Sequence, residues 1–251
     1  MAYERFGISI IYGTTAVNPI PFTIDAKQLG SYPPSLLALS DLGEIENNYS
    51  EYVTLLTQGQ IIPKLARWTL LGLATQNLIQ FNQVRLKRTS LKGKTSIKHF
   101  CFVTPTPQIH THNANGVLEK KFQAQLTQRT KIPANNTFLG SRELYQLIYH
   151  LFENRVTSPL DKIVDPIIND AISLGYAKRI STKGKGFKEK VKRIFINPWH
   201  FSQTHKSAII AEKIEFAHWD DRFQQEHPEF VKAMTFAVEK ALEARRQKSG
   251  D

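Results

Sequence analysis

The chain has 251 residues, enough for one large domain or two modest ones, and its 41% apolar and 22% charged residues are typical of globular proteins. Cys101 is the only cysteine, which excludes an intramolecular disulfide and favours a reducing, cytoplasmic compartment. The net charge of +11 favours a polyanionic partner, which could be nucleic acid, an anionic membrane face or an acidic protein.

The positive charge is concentrated in two blocks. Residues 52–118 contain eight lysines and arginines and no acid, and residues 171–211 have a net charge of +8. Interspersed signs would be expected if the basic residues only kept the protein soluble, so the blocks indicate surfaces that attract a polyanion. No stretch reaches the roughly 18 apolar residues of a membrane-spanning helix, so we expect no transmembrane segment.

The first 108 residues predict an arm followed by three helices and a hairpin. Residues 1–33 form an extended N-terminal arm, in which Pro19 and Pro21 are compatible with an edge strand. Two short helices are predicted over 36–42 and 49–57, and Pro63 suits the first turn of a third helix that ends near Gln76. Strands follow over 78–88 and 95–103, joined by a turn at Lys92-Gly93-Lys94. Residues 34–108 are therefore a first unit.

The same order of elements recurs over residues 114–199, which form a second unit. Helices are predicted over 116–128, 141–154 and 159–175, the last with Ser158 as its N-cap and Pro159 at its first position. Strands are predicted over 176–180 and 190–196, around a glycine-rich basic turn at 182–186.

Residues 200–251 predict a C-terminal helical segment. It comprises a helix over 203–217, a loop that carries Trp219 and Phe223, and an amphipathic helix over 228–247. The apolar stripe of that last helix is the candidate surface for a protein partner or for a second copy of the chain.

Three helices followed by a basic hairpin resemble the winged-helix fold, and the repeated order resembles tandem winged-helix proteins. The predicted class is therefore α+β and helix-rich, with two winged-helix-like units, an N-terminal extended arm and a C-terminal helical segment. The resemblance implies that a third helix enters the major groove and that the hairpin, or wing, contacts the backbone. Asp161, Asp165 and Asp170 would face phosphates with the wrong sign, so we expect the wings to contribute more than the second recognition helix.

The predicted function is nucleic-acid binding, with DNA favoured over RNA, as a regulator or as a replication or mobile-element factor. Phosphate contacts by lysine and arginine give affinity and salt dependence without sequence information. The candidate contact residues are Lys64, Arg67, Arg85, Lys87, Arg88, Lys92, Lys94, Lys98, Lys178, Arg179, Lys183, Lys185, Lys188, Lys190, Lys192 and Arg193. The alternative is a non-catalytic adaptor of the same fold that binds a protein or an anionic membrane.

The sequence favours a protein without catalytic activity or a cofactor. It contains no P-loop, no G-x-G-x-x-G, no G-x-S-x-G and no H-E-x-x-H, although an active site built from distant residues would leave no local motif. One group could bind zinc: His99 and Cys101 alternate on a strand, and His110 and His112 alternate on the predicted extended segment after it. Because this spacing is not a usual zinc pattern, we predict that Cys101 is a buried strand residue without metal.

Overall fold

The computed structural model describes residues 18–19, 30–43, 61–89, 95–130, 164–179 and 199–248. Over these ranges the chain is rich in helix and contains two small antiparallel sheets, which confirms the helix-rich α+β class. The helices predicted over 49–57 and 141–154 and the strand predicted over 190–196 lie outside the described residues.

Before the hairpin, the described residues contain three helices. Helices α1 (Pro34–Ala38) and α2 (Ser40–Gly43) replace the single short helix that the sequence predicts over 36–42, because the chain turns at Leu39. Helix α3 (Ile61–Thr75) places Pro63 in its first turn, as predicted, and is buried over most of its length. Asn77 ends α3 in the left-handed region at φ 55°, which permits the backbone N–H of Leu78 to bond back into the helix.

The main sheet has three antiparallel strands in the order β1 (Asn18–Pro19), β2 (Ile79–Thr89) and β3 (Thr95–Pro105). The prediction of a hairpin directly after the third helix is confirmed, with a register that runs from Ile79 opposite Pro105 to Thr89 opposite Thr95. Asn18 and Pro19 pair with the outer side of β2, so Pro19 lies in an edge strand, where a missing N–H is tolerated.

The sequence predicts an extended segment after the hairpin. This prediction is wrong, because Pro107–His110 form a 3₁₀ helix. Helix α4 (Val117–Thr130) follows, close to its predicted bounds. Gly116 precedes it at φ 99°, a conformation that glycine adopts without steric penalty. A methyl group at position 116 would also overlap Glu119 and Pro33.

Helix α5 (Asp165–Ser173) is the described part of the helix predicted over 159–175. Strand β4 (Ala177–Arg179) follows it, as expected, and pairs antiparallel with β5 (Trp199–Phe201). The partner strand therefore lies beyond Pro198, at residues for which the sequence analysis predicts no strand. Buried Trp199 and Phe201 flank half-buried His200, the alternation of a strand with one face in the core.

Two long helices complete the chain. Helix α6 (Gln203–Glu226) continues through Trp219 and Phe223, so the prediction of an aromatic loop there is wrong. The chain bends at His227, and α7 (Pro228–Lys248) begins at a proline, as predicted. Phe230, Met234 and Val238 on the predicted stripe of α7 are buried.

The buried apolar residues in the described part of the chain form one continuous cluster. It draws on all seven described helices and on strands β2, β3, β4 and β5. Residues of both predicted units, such as Trp68 from the first and Ile168 from the second, therefore lie in a shared core, to which α6 and α7 contribute Ile209, Phe223 and Phe230.

Candidate nucleic-acid interface

The first basic block lies on the β2–β3 hairpin. Each strand has 11 residues, and at about 3.3 Å per residue the ladder is about 35 Å long. Four consecutive cross-strand pairs each contain one cation: Arg85 opposite His99, Lys98 opposite position 86, Lys87 opposite position 97, and Arg88 opposite position 96. The backbone thus gathers four of the predicted contact residues into one short stretch. Lys92 and Lys94, at the turn, lie outside the described residues.

The base of this hairpin is fixed to the core. Phe81 and Val103 are paired across the two strands and are almost completely buried. The Phe81 ring lies 5.3 Å from that of Phe223 and 4.6 Å from that of Phe230, measured between centroids. Helices α6 and α7 therefore hold the base of the hairpin, and the first cation-bearing pair lies four residues further along β2.

Arg67, which the sequence analysis places among the contacts to nucleic acid, lies in the interior instead. Its Nε and Nη2 donate to the two carboxylate oxygens of Asp220 at 2.5 and 2.7 Å, and only 12% of its side chain is exposed. The indole Nε1 of Trp68 donates to the same carboxylate at 2.8 Å. Arg67 therefore joins α3 to α6 as part of a buried bidentate pair, and we leave it out of the interface.

Lys64 also takes part in an internal ion pair. Its Nζ lies 2.8 Å from Asp41 Oδ2 and 4.6 Å from the centre of the Trp68 ring, and Lys213 of α6 contacts the other Asp41 oxygen at 2.5 Å. Burial of the Asp41 carboxyl opposes its ionisation, but hydrogen bonds from Lys213 and Lys64 outweigh burial and lower its pKa. This network ties α2, α3 and α6 together.

The second basic block, residues 171–211, is described over 171–179 and 199–211. Lys178 and Arg179 lie on β4 and are exposed, with Lys178 opposite His200 and Arg179 opposite Trp199. Arg179 Nη2 donates to Asn169 Oδ1 of α5 at 2.5 Å. The remaining predicted contacts of this block lie outside the described residues: Lys183, Lys185, Lys188, Lys190, Lys192 and Arg193.

The four predicted zinc ligands are divided between two kinds of structure. His99 and Cys101 occupy alternate positions on β3, whereas His110 ends the 3₁₀ helix and His112 lies in the turn after it. Thr111 Oγ1 lies 3.0 Å from His112 Nδ1, within hydrogen-bond distance. Within the ranges that the structure describes, no group of three or more histidines, cysteines or acids is arranged to hold a metal ion.

The described residues also enclose a cavity of about 450 Å³ that no sequence pattern indicates. Residues distant in the sequence line it, among them Tyr32 before α1, Gln76 after α3, Asn115 before α4, and Glu212 and Trp219 of α6. No local motif marks such a site, because its lining comes from four separate segments.

In the described ranges, no helix has both the length and the apolar composition needed to cross a membrane. Comparison of the chain with protein-family models, with characterised proteins and with solved structures yields no match in any of the three. Any functional assignment for this chain therefore rests on its own residues and their geometry.

Proposed function

We propose that the chain is a nucleic-acid-binding protein whose basic hairpins contact phosphates, in the manner of the wings of a tandem winged-helix protein. The observation that carries the proposal is the β2–β3 hairpin: it follows α3 directly, contains no acid, and has one lysine or arginine in each of four consecutive cross-strand pairs. Because neighbouring pairs alternate between the two faces of a strand ladder, Arg85 and Lys87 belong to one face and Lys98 and Arg88 to the other, so either face could offer two cations to phosphates.

The anchored base of the hairpin supports the same proposal. Phe81 is packed against α6 and α7, so binding would not have to order the base of the hairpin, which lowers the entropic penalty of association. Because Arg67 and Lys64 are engaged in ion pairs, α3 offers few groups for reading bases. We therefore expect binding with little sequence preference, and DNA rather than RNA is the favoured ligand.

The first test measures binding of the full chain to labelled duplex DNA, single-stranded DNA, duplex RNA and anionic liposomes over a series of salt concentrations. We expect binding to duplex DNA that weakens steeply as salt rises. Preference for the liposomes, with little binding to DNA at about 0.15 M salt, would favour the membrane adaptor. Binding to none of them would contradict the proposal.

The second test replaces Arg85 and Lys87 together by alanine. We expect weaker DNA binding and a salt slope smaller by roughly 0.9 for each lost phosphate contact. The matched control removes the same charge from exposed residues of α4, Lys120 and Lys121. Equal losses in the two variants would show that net charge alone, and not the hairpin, determines binding.

A further inference from the structure

The cavity of about 450 Å³ lies between the chain that enters α1 and the middle of α6, and its volume suits a small organic molecule. Three aromatic side chains line it: Tyr32, Phe216 and Trp219. The rings of Phe216 and Trp219 meet edge to face with their centroids 5.3 Å apart, and Phe216 packs on buried Trp68 at 4.7 Å. This aromatic wall is therefore held in place by the core.

Two carboxylates line the same cavity, from positions one turn apart on α6. Glu212 accepts hydrogen bonds from the backbone N–H groups of Ser31, at 2.9 Å, and Tyr32, at 3.2 Å, so its carboxylate is fixed at the cavity wall. A methyl group at position 30 would overlap this carboxylate, so glycine there permits the close approach. Glu215 lines the cavity from an exposed position, and it makes no hydrogen bond or ion pair with any residue in the described part of the chain.

The charge of the cavity is opposite to that of the whole protein. Neither lysine nor arginine is among the described residues that line it, and the basic side chain that does line it is exposed His218, although the chain carries a net charge of +11. Residues 212–251 have nine acids against seven lysines and arginines, so the segment that supplies Glu212 and Glu215 is acidic. A phosphate would be repelled there, and a cation would be attracted.

We propose that this cavity binds an organic cation in which an ammonium or guanidinium group is joined to an apolar body. Glu215 would pair with the cation, Glu212 would add to the negative potential, and the rings of Trp219 and Phe216 would contact the apolar part and attract the cation through their faces. The site is separate from the basic hairpins, so this proposal does not depend on whether the chain binds nucleic acid.

The test measures calorimetric binding of three compounds of similar size to the full chain: phenethylamine, the neutral 2-phenylethanol and the anionic 3-phenylpropionate. We expect the amine to bind at least about tenfold more tightly than the other two, because each of them lacks the positive charge. A blocked dipeptide of phenylalanine and lysine distinguishes two sources of the cation. If the dipeptide binds more tightly than the amine, the natural ligand is a side chain of another protein; if the dipeptide binds more weakly, the natural ligand is a free small molecule.

Because Glu215 is exposed and its ion pair is screened by solvent, the variant Glu215→Gln should weaken binding of the amine by about two- to fivefold and leave that of the alcohol unchanged. Asp221→Asn is the control, since it removes the same charge from an exposed position of α6 that does not line the cavity. Equal affinity for all three compounds, equal effects of the two variants, or no binding of the amine at about 1 mM would overturn the proposal.

Discussion

Glu119 is an acid buried completely in the first turn of α4. Its two carboxylate oxygens accept hydrogen bonds of 2.8 Å from the backbone N–H and the hydroxyl of Ser35 in α1. Burial raises the pKa of Glu119 from 4.5 to about 7; the hydrogen bonds from its own backbone and from Ser35 oppose this rise, and the charge of Asp170 adds to it. The group therefore titrates near neutral pH while it links α4 to α1.

The raised pKa of Glu119 predicts a pH-dependent stability. The folded protein keeps this proton up to about pH 7, whereas the unfolded chain releases it near 4.5, so the stabilisation is complete below about 4.5 and is lost as the pH rises through 7. Relative to Glu119→Gln, the free energy of unfolding should fall by about 3 kcal/mol across this range. Urea unfolding at several pH values measures it.

The control for this prediction is Glu239→Gln, which changes an exposed acid of α7. Its stability curve should run parallel to that of the unchanged protein over the whole pH range. A parallel curve for Glu119→Gln as well would show that Glu119 does not titrate differently in the folded and unfolded states.

Sequence patterns do not predict which single side chains pair with each other in the folded protein. No sequence motif singles out Asp220 or His205, yet Asp220 is 4% exposed and binds Arg67 and Trp68. His205 Nδ1 lies 2.7 Å from the hydroxyl of Tyr32. Both contacts join residues more than 150 positions apart, and no periodicity within one element can indicate such a pairing.

At the scale of elements, turn residues and alternation predict β2 and β3 to within two residues of their observed ends. The extension of α6 is missed because Trp219 and Phe223 are read as a loop, although they are four residues apart and share a helix face. Phe223 packs on Phe81 and Phe230, and this tertiary contact favours continued helix. Strand β5 is only three residues long, too short for its alternation to be recognised.

The packing of the hairpin base predicts a large effect of Phe81→Ala. Phe81 is 1% exposed and its ring contacts two other phenylalanines, so its removal should leave a cavity and lower the free energy of unfolding by about 3–5 kcal/mol. Phe236→Ala removes the same side chain from a position of α7 that is 53% exposed. This control should change the free energy of unfolding by less than about 0.5 kcal/mol. Thermal or urea unfolding of both variants checks this. Similar losses would show that β2 is not anchored by Phe81.

The whole molecule combines a shared apolar core with an uneven distribution of charge. Residues 1–51 have a net charge of −4 and residues 212–251 a net charge of −2, while the two basic blocks lie between them. The positions of the acidic and basic blocks along the chain are read directly from the sequence. The sequence does not predict the core that the described residues share, because that core requires residues of both units, together with α6 and α7, to pack against each other.

If both basic blocks contact phosphates, the second should contribute in the same way as the first. Replacing Lys183, Lys185 and Lys188 by alanine should weaken binding about equally for unrelated DNA sequences, because phosphate contacts carry no sequence information. The slope of log affinity against log salt should become shallower by roughly 0.9 for each lost contact. Removing the same charge from exposed lysines outside both blocks, at Lys120, Lys121 and Lys232, should change the slope much less. A loss that depends on the DNA sequence would instead indicate contacts to bases, and an unchanged slope would restrict the interface to the β2–β3 hairpin.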